Sequence, residues 1–134
     1  MKKILIISLI IILSAVFVYC STYPLRQQPE FAPKTHYKEA DYVNAYCKGI
    51  IEYELPDKTR VDCLTNDYAI EFDFAKKWAE SIGQSLYYAK MTGKKPAVAI
   101  IVKKPTDRHY IERIKKVDKN IRIFVIKAQD YKSQ

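Results

Sequence analysis

A chain of 134 residues with 49% hydrophobic side chains, eleven Tyr and five Phe is long enough for one small core, too short for two, and too apolar to remain disordered. Its 23 Lys and Arg outnumber 15 Asp and Glu, giving a formal charge of +8, or +6 once Lys2 and Lys3 are set aside. That surplus favours a polyanionic partner, either nucleic acid or an anionic membrane face, although a basic surface with no function is the alternative that charge alone leaves open.

The N-terminus, MKKILIISLIIILSAVFVYC, puts two lysines before an apolar run from Ile4 to Cys20 interrupted only by Ser8 and Ser14. This has the order of a secretory signal, so residues 1–20 are read as a signal peptide or an N-terminal membrane anchor, and the mature domain as exported to a periplasmic or secreted location. Lipidation at Cys20 fits less well, because Tyr19 occupies a position that calls for a small residue. In an oxidising compartment the remaining cysteines, Cys47 and Cys63, form a candidate disulfide closing a loop of about sixteen residues, which contributes on the order of 3 kcal/mol. Two buried free thiols are the alternative. Zinc fits poorly, with no CxxC pair and with His36 and His109 far apart in the chain.

Residues 21–35, with three prolines and no apolar period, read as a tether, leaving 36–130 as the folded domain. Beyond it, THYKEADYVNAYC spaces Tyr42, Ala45 and Tyr46 as a helix, with Thr35 as candidate cap and Gly49 as stop. Three strands are expected next: IIEYEL, then RVDCLT after the turn PDKT, then YAIEFDF. In the third, Tyr68, Ile70, Phe72 and Phe74 share one face, while Ala69, Glu71 and Asp73 share the other. A helix over 75–93 follows, with Trp78, Ile82, Leu86 and Ala89 as its apolar stripe and Gly93 as its end. PAVAIIV reads as a strand covered on both faces, TDRHYIERIKKVDKN as a helix capped by Thr106 or Asp107, and IRIFVIKA as a last strand. The order α-β-β-β-α-β-α-β predicts an α/β fold, a small mixed β-sheet flanked by helices.

Strand alternation sets Glu71 and Asp73 on one face about 7 Å apart, with Asp62 on the preceding strand able to stand opposite them. Carboxylates converging in a small volume repel one another unless a cation neutralises them, and hard oxygen donors suit Mg²⁺ or Mn²⁺. The competing reading leaves Glu71 and Asp73 in solvent on a half-exposed strand. On the helix that follows, Lys77, Gln84 and Tyr88 fall at i, i+7 and i+11, lining up a cation, an amide and a phenol beside the acids.

From Tyr37 to Ile101 the chain resembles the PD-(D/E)XK nucleases, in the branch like the exonuclease domain of RecB. The matching positions are Glu39 on the first helix, Asp62 opening the second strand, Glu71-Phe72-Asp73 on the third, and the Gln-x-x-x-Tyr motif of Gln84 to Tyr88. The resemblance implies a restriction-endonuclease-like αβββαβ core with an additional αβ unit, and metal-dependent hydrolysis of phosphodiester bonds, in DNA with little sequence preference. Mg²⁺ or Mn²⁺ would be held by Asp62, Glu71 and Asp73 with help from Glu39, and Gln84 and Tyr88 would position the nucleic acid. Lysine is usual in the family where this chain has Asp73, and Lys77 or Lys76, on the adjoining helix, is the candidate replacement, Lys77 being favoured because it shares a stripe with Gln84. Lys90, Lys94, Lys95, Lys103 and Lys104 would track a phosphate backbone. Without that lysine, the competing reading is a catalytically inactive module binding nucleic acid or another polyanion at the cell envelope. A purely structural envelope domain is a third.

Overall fold

A computed structural model describes residues 29–32 and 34–130. The leader or anchor assigned to residues 1–20, and most of the tether, lie outside the described residues. Helix α1 (Glu39–Tyr46) precedes strands β1 (Ile50–Glu54), β2 (Arg60–Leu64) and β3 (Tyr68–Phe74). Helix α2 (Trp78–Thr92), strand β4 (Lys95–Val102), helix α3 (Arg108–Val117) and strand β5 (Arg122–Lys127) follow, with single 3₁₀ turns at Ala75–Lys77 and Pro105–Asp107 leading into α2 and α3. The strands form one five-stranded mixed sheet in sequence order: β1, β2 and β3 are antiparallel, while β3, β4 and β5 run parallel. The fold is thus α/β, and the parallel half uses α2 and α3 as its crossovers.

The apolar run of β4 is the spine, with Ala97 through Val102 all buried. On one side Ala97, Ala99 and Ile101 join Ile70 and Phe72 of β3 under Tyr42 and Val43 of α1. On the other, Val98, Ile100 and Val102 meet Ile82 of α2 and Ile111 and Ile114 of α3. Each fully buried Ile contributes about 1.5–3 kcal/mol relative to exposure, so β4 and its covering helices anchor the sheet.

Several ends differ from the sequence-based expectation. Helix α1 starts at Glu39 rather than after Thr35, because the Lys38 amide donates to Asp41 Oδ2 at 2.9 Å and fixes the first turn there. It stops at Tyr46, so Gly49 does not cap it. Glycine is required at 49 for another reason: a Cβ there would sit 2.1 Å from the Leu64 carbonyl oxygen. Cys47 and Cys63 form a disulfide, tying the end of α1 to β2 with the Cα atoms 5.7 Å apart. The tether's last part belongs to the fold, since Phe31 packs on Tyr42 and Tyr37 with ring centroids 5.2 and 5.3 Å apart.

Helix α2 begins at Trp78, and it buries Ser81, Ile82, Ser85, Tyr88 and Ala89, while Leu86 from the expected stripe stays 39% exposed. Small residues let the helix approach the sheet closely. The two buried hydroxyls cost little because Ser81 donates to Trp78 O at 2.9 Å and Ser85 to Ile82 O at 3.0 Å. Gly93 ends α2 in the left-handed conformation, with φ of 68°, as expected. Asp107 braces the loop before α3 instead of capping the helix, its Oδ2 accepting the Lys103 and Lys104 amides at 2.9 and 3.2 Å.

Candidate functional site

The sheet is incomplete between β2 and β3. Their ladder pairs only Cys63 with Ile70 and Leu64 with Ala69. Beyond that point a side chain takes the place of the missing ladder carbonyl: the Phe72 amide donates to Asp62 Oδ2 at 2.8 Å. Glu71 and Asp73, on either side of Phe72, point to the face that α2 covers and are only 6% and 4% exposed. The solvent-facing alternative for these acids is therefore wrong, because α2 lies over them. Among the described residues neither finds full satisfaction: Glu71 Oε2 and Asp73 Oδ2 are buried without a hydrogen-bond partner.

Lys77 closes the site at its outer end. The 3₁₀ turn after β3 brings its Nζ 3.4 Å from Asp73 Oδ1, and α1 supplies Glu39 Oε1 at 3.2 Å on the other side. Expected members from α1, β3 and the 3₁₀ turn before α2 thus meet. This ammonium group is half-exposed, so the bridge itself adds little stability.

Burial dominates the proton affinities. It pushes Glu71 up to about 9, reinforced by the Asp62 and Asp73 charges. Asp73 is pushed up to about 7 by burial, against the opposing pull of Lys77, and Asp62 to about 6 by burial, against the Phe72 amide. Lys77 is raised by its bond to Glu39 and by the Asp73 charge. One ammonium cannot offset the buried Glu71 and Asp73 together with the half-buried Asp62, so without further positive charge Glu71 retains its proton at neutral pH.

Two buried carboxylate oxygens lacking donors fit a divalent cation. Mg²⁺ and Mn²⁺ take oxygen donors, need one or two carboxylates and keep waters elsewhere. Among the described residues no three His, Cys, Asp or Glu side chains already converge as a cation site, so binding requires the side chains to rotate inward. The disulfide removes Cys47 and Cys63 as thiolate ligands.

Gln84 and Tyr88 sit one turn apart on α2. Tyr88 is 6% exposed, its ring packed in the cluster of Leu55, Val61 and Ala69, so it forms an inner wall and is no open platform for a base. Its hydroxyl is raised mainly by burial and then by the Glu71 charge, while the Gln84 side chain bonds to it and lowers it. The expected lysine track is interrupted: Lys94 Nζ donates to Asn66 O at 2.8 Å, and Lys103 pairs with Asp130 at 3.6 Å and lies over the Phe74 ring.

Glu52 was missing from the sequence-based set. The pairs Ile51–Cys63 and Tyr53–Val61 flank it, which puts it opposite Asp62 on β1, and its backbone has φ of 54°. Its charge raises the pKa of both Asp62 and Glu71. Counting outward from the PDKT turn, 54 against 60 and 52 against 62, was the signal that could have found it. Comparison with protein-family models, curated proteins and solved structures finds no match to this chain.

Proposed function

We propose that the protein is an exported, metal-dependent phosphodiesterase, a nuclease acting on DNA with little sequence preference, built on a restriction-endonuclease-like αβββαβ core with an added αβ unit. The observation that carries this reading is the pair of buried, unpartnered oxygens on Glu71 and Asp73 beside Asp62, with Lys77 at the opening. The element order, the Glu39–Lys77–Asp73 bridge and the Gln84–Tyr88 pair support it as well.

Asp62, Glu71 and Asp73 would hold Mg²⁺ or Mn²⁺, which supplies Lewis acidity at the scissile phosphate and lowers the pKa of water. Lys77 Nζ offers a donor to the charge that develops on the phosphate oxygens. Glu39 fixes that ammonium from the other side and keeps it protonated. Gln84, half-buried at the rim, directs the substrate strand, while Tyr88 holds Gln84 in place from within. Together these groups replace the usual lysine after the second acid with one delivered from the next turn.

The inactive polyanion-binding module has one observation in its favour: the acids do not converge on a ready cation position. Closed circular plasmid incubated with the protein in Mg²⁺, Mn²⁺ or EDTA separates the two. Metal-dependent nicking supports the nuclease. Salt-sensitive DNA binding without nicking of circular or linear DNA or RNA supports the inactive module.

A further inference from the structure

The reading above leaves unexplained an acid that the sheet brings into the same row. β1 and β2 pair in a fixed register, with Ile51 against Cys63 and Tyr53 against Val61, so Glu52 stands opposite Asp62. Continuing the register of Cys63–Ile70 and Leu64–Ala69 sets Asp62 beside Glu71. Glu52, Asp62 and Glu71 therefore form a lateral row across three neighbouring strands. Like charges directly opposite one another on a sheet are destabilising, and a non-glycine residue with φ of 54° adds backbone strain at the same position. The charge offset is thin: Arg60 Nη1 is 3.9 Å from Glu52 Oε2, and the same guanidinium serves Glu54 at 3.7 Å. At the inner end of the row, Glu71 is only 6% exposed and its Oε2 has no hydrogen-bond partner among the described residues. Asp62 has its Oδ2 occupied by the Phe72 amide and its Oδ1 to offer.

We infer that Glu52 is a ligand residue of the acidic site, holding a second divalent cation jointly with Asp62, which it shares with the position formed by Asp62, Glu71 and Asp73. The inference rests on the metal-dependent reading above and adds a residue from β1 to it. Arg60 then acts as the resident counter-ion that the incoming cation displaces from Glu52. A hairpin arm with one carboxylate facing the row and an arginine beside it suits a site that fills only when cation is available.

The test is Mn²⁺ titration of the full-length chain, with free ion followed by electron paramagnetic resonance and Tm recorded in parallel. Glu52→Gln is expected to bind one fewer Mn²⁺ per chain at saturation, and Glu52→Asp, which keeps the charge but shortens the reach, to weaken that ion by about tenfold or more. Arg60→Gln is expected to tighten it. Without metal, Glu52→Gln is expected to raise Tm, because it relieves the like-charge pair, so loss of the ion cannot be ascribed to misfolding. Unchanged stoichiometry and affinity in both Glu52 variants would overturn this inference alone. Absence of any Mn²⁺ binding by the wild-type chain would overturn the metal-dependent reading with it.

Discussion

Glu71→Gln gives the sharpest test of why the acids are buried. The substitution keeps the shape of the side chain and removes the group with the strongest pull on protons. In the folded chain Glu71 titrates at about 9, against an ordinary glutamate value of 4.5, chiefly because burial penalises its charged form. A carboxyl raised in this way contributes stability that is fully present below the unfolded pKa and lost as pH rises through the folded one. Between pH 4.5 and about 9, ionisation of Glu71 should therefore erode metal-free stability by on the order of 1 kcal/mol per pH unit. Urea denaturation in EDTA at pH 5, 6, 7 and 8 measures this directly. Glu71→Gln should gain on the wild type by on the order of 1 kcal/mol for each unit of pH. Adding Mn²⁺ should reverse the order, stabilising the wild type and leaving the variant nearly unmoved. Parallel pH profiles for the two proteins in EDTA would refute the argument, since they would mean that Glu71 is ionised and compensated in the metal-free fold.

Lys77→Gln should change stability by less than about 1 kcal/mol, because the ammonium is half-exposed, yet lower plasmid cleavage about 100-fold or more; equal losses in folding would contradict a role in charge stabilisation. The same variant should raise the proton affinity of Asp73 further, observable as a shift of its carboxyl resonance titration to higher pH. Replacing Cys47 and Cys63 together by Ser should cost on the order of 3 kcal/mol in urea denaturation, the loss of a covalent tie between α1 and β2. Gly49→Ala should destabilise by about 1–3 kcal/mol in thermal unfolding, because its methyl group would meet the Leu64 carbonyl; a neutral result would show that β1 and β2 do not approach as closely as described.

Much of the fold was readable from local pattern. The unbroken apolar run Ala97–Val102 announced a strand buried on both faces, and the alternation Tyr68–Phe74 separated the faces correctly. Gly93 and the PDKT turn were legible because each has a local mechanism: a left-handed residue in one case, an aspartate bonding to Thr59 in the other. What local pattern did not reveal was set by tertiary approach. Leu86 lost its place in the α2 stripe to Ser81 and Ser85 because closeness to the sheet selected small residues. Gly49 resembled a helix stop, whereas its requirement comes from a carbonyl fifteen positions away in the chain. Within the candidate site, the meeting of Asp73 and Lys77 followed from spacing along one segment. Glu52 needed the pairing register of two strands, and the burial of Tyr88 needed the hairpin end at Leu55 to pack against α2.

The central claim, that the buried carboxylates of β3 form a cation centre, is tested most directly by crystals of the protein soaked in Mn²⁺ and measured for anomalous scattering. The account predicts a Mn²⁺ peak in contact with Glu71 and Asp73, with Asp62 turned toward it and Lys77 still bridging Glu39 at the rim. Crystals saturated with Mn²⁺ at pH 8 that show no peak between those side chains, with the carboxylates placed as they are without metal, would contradict it.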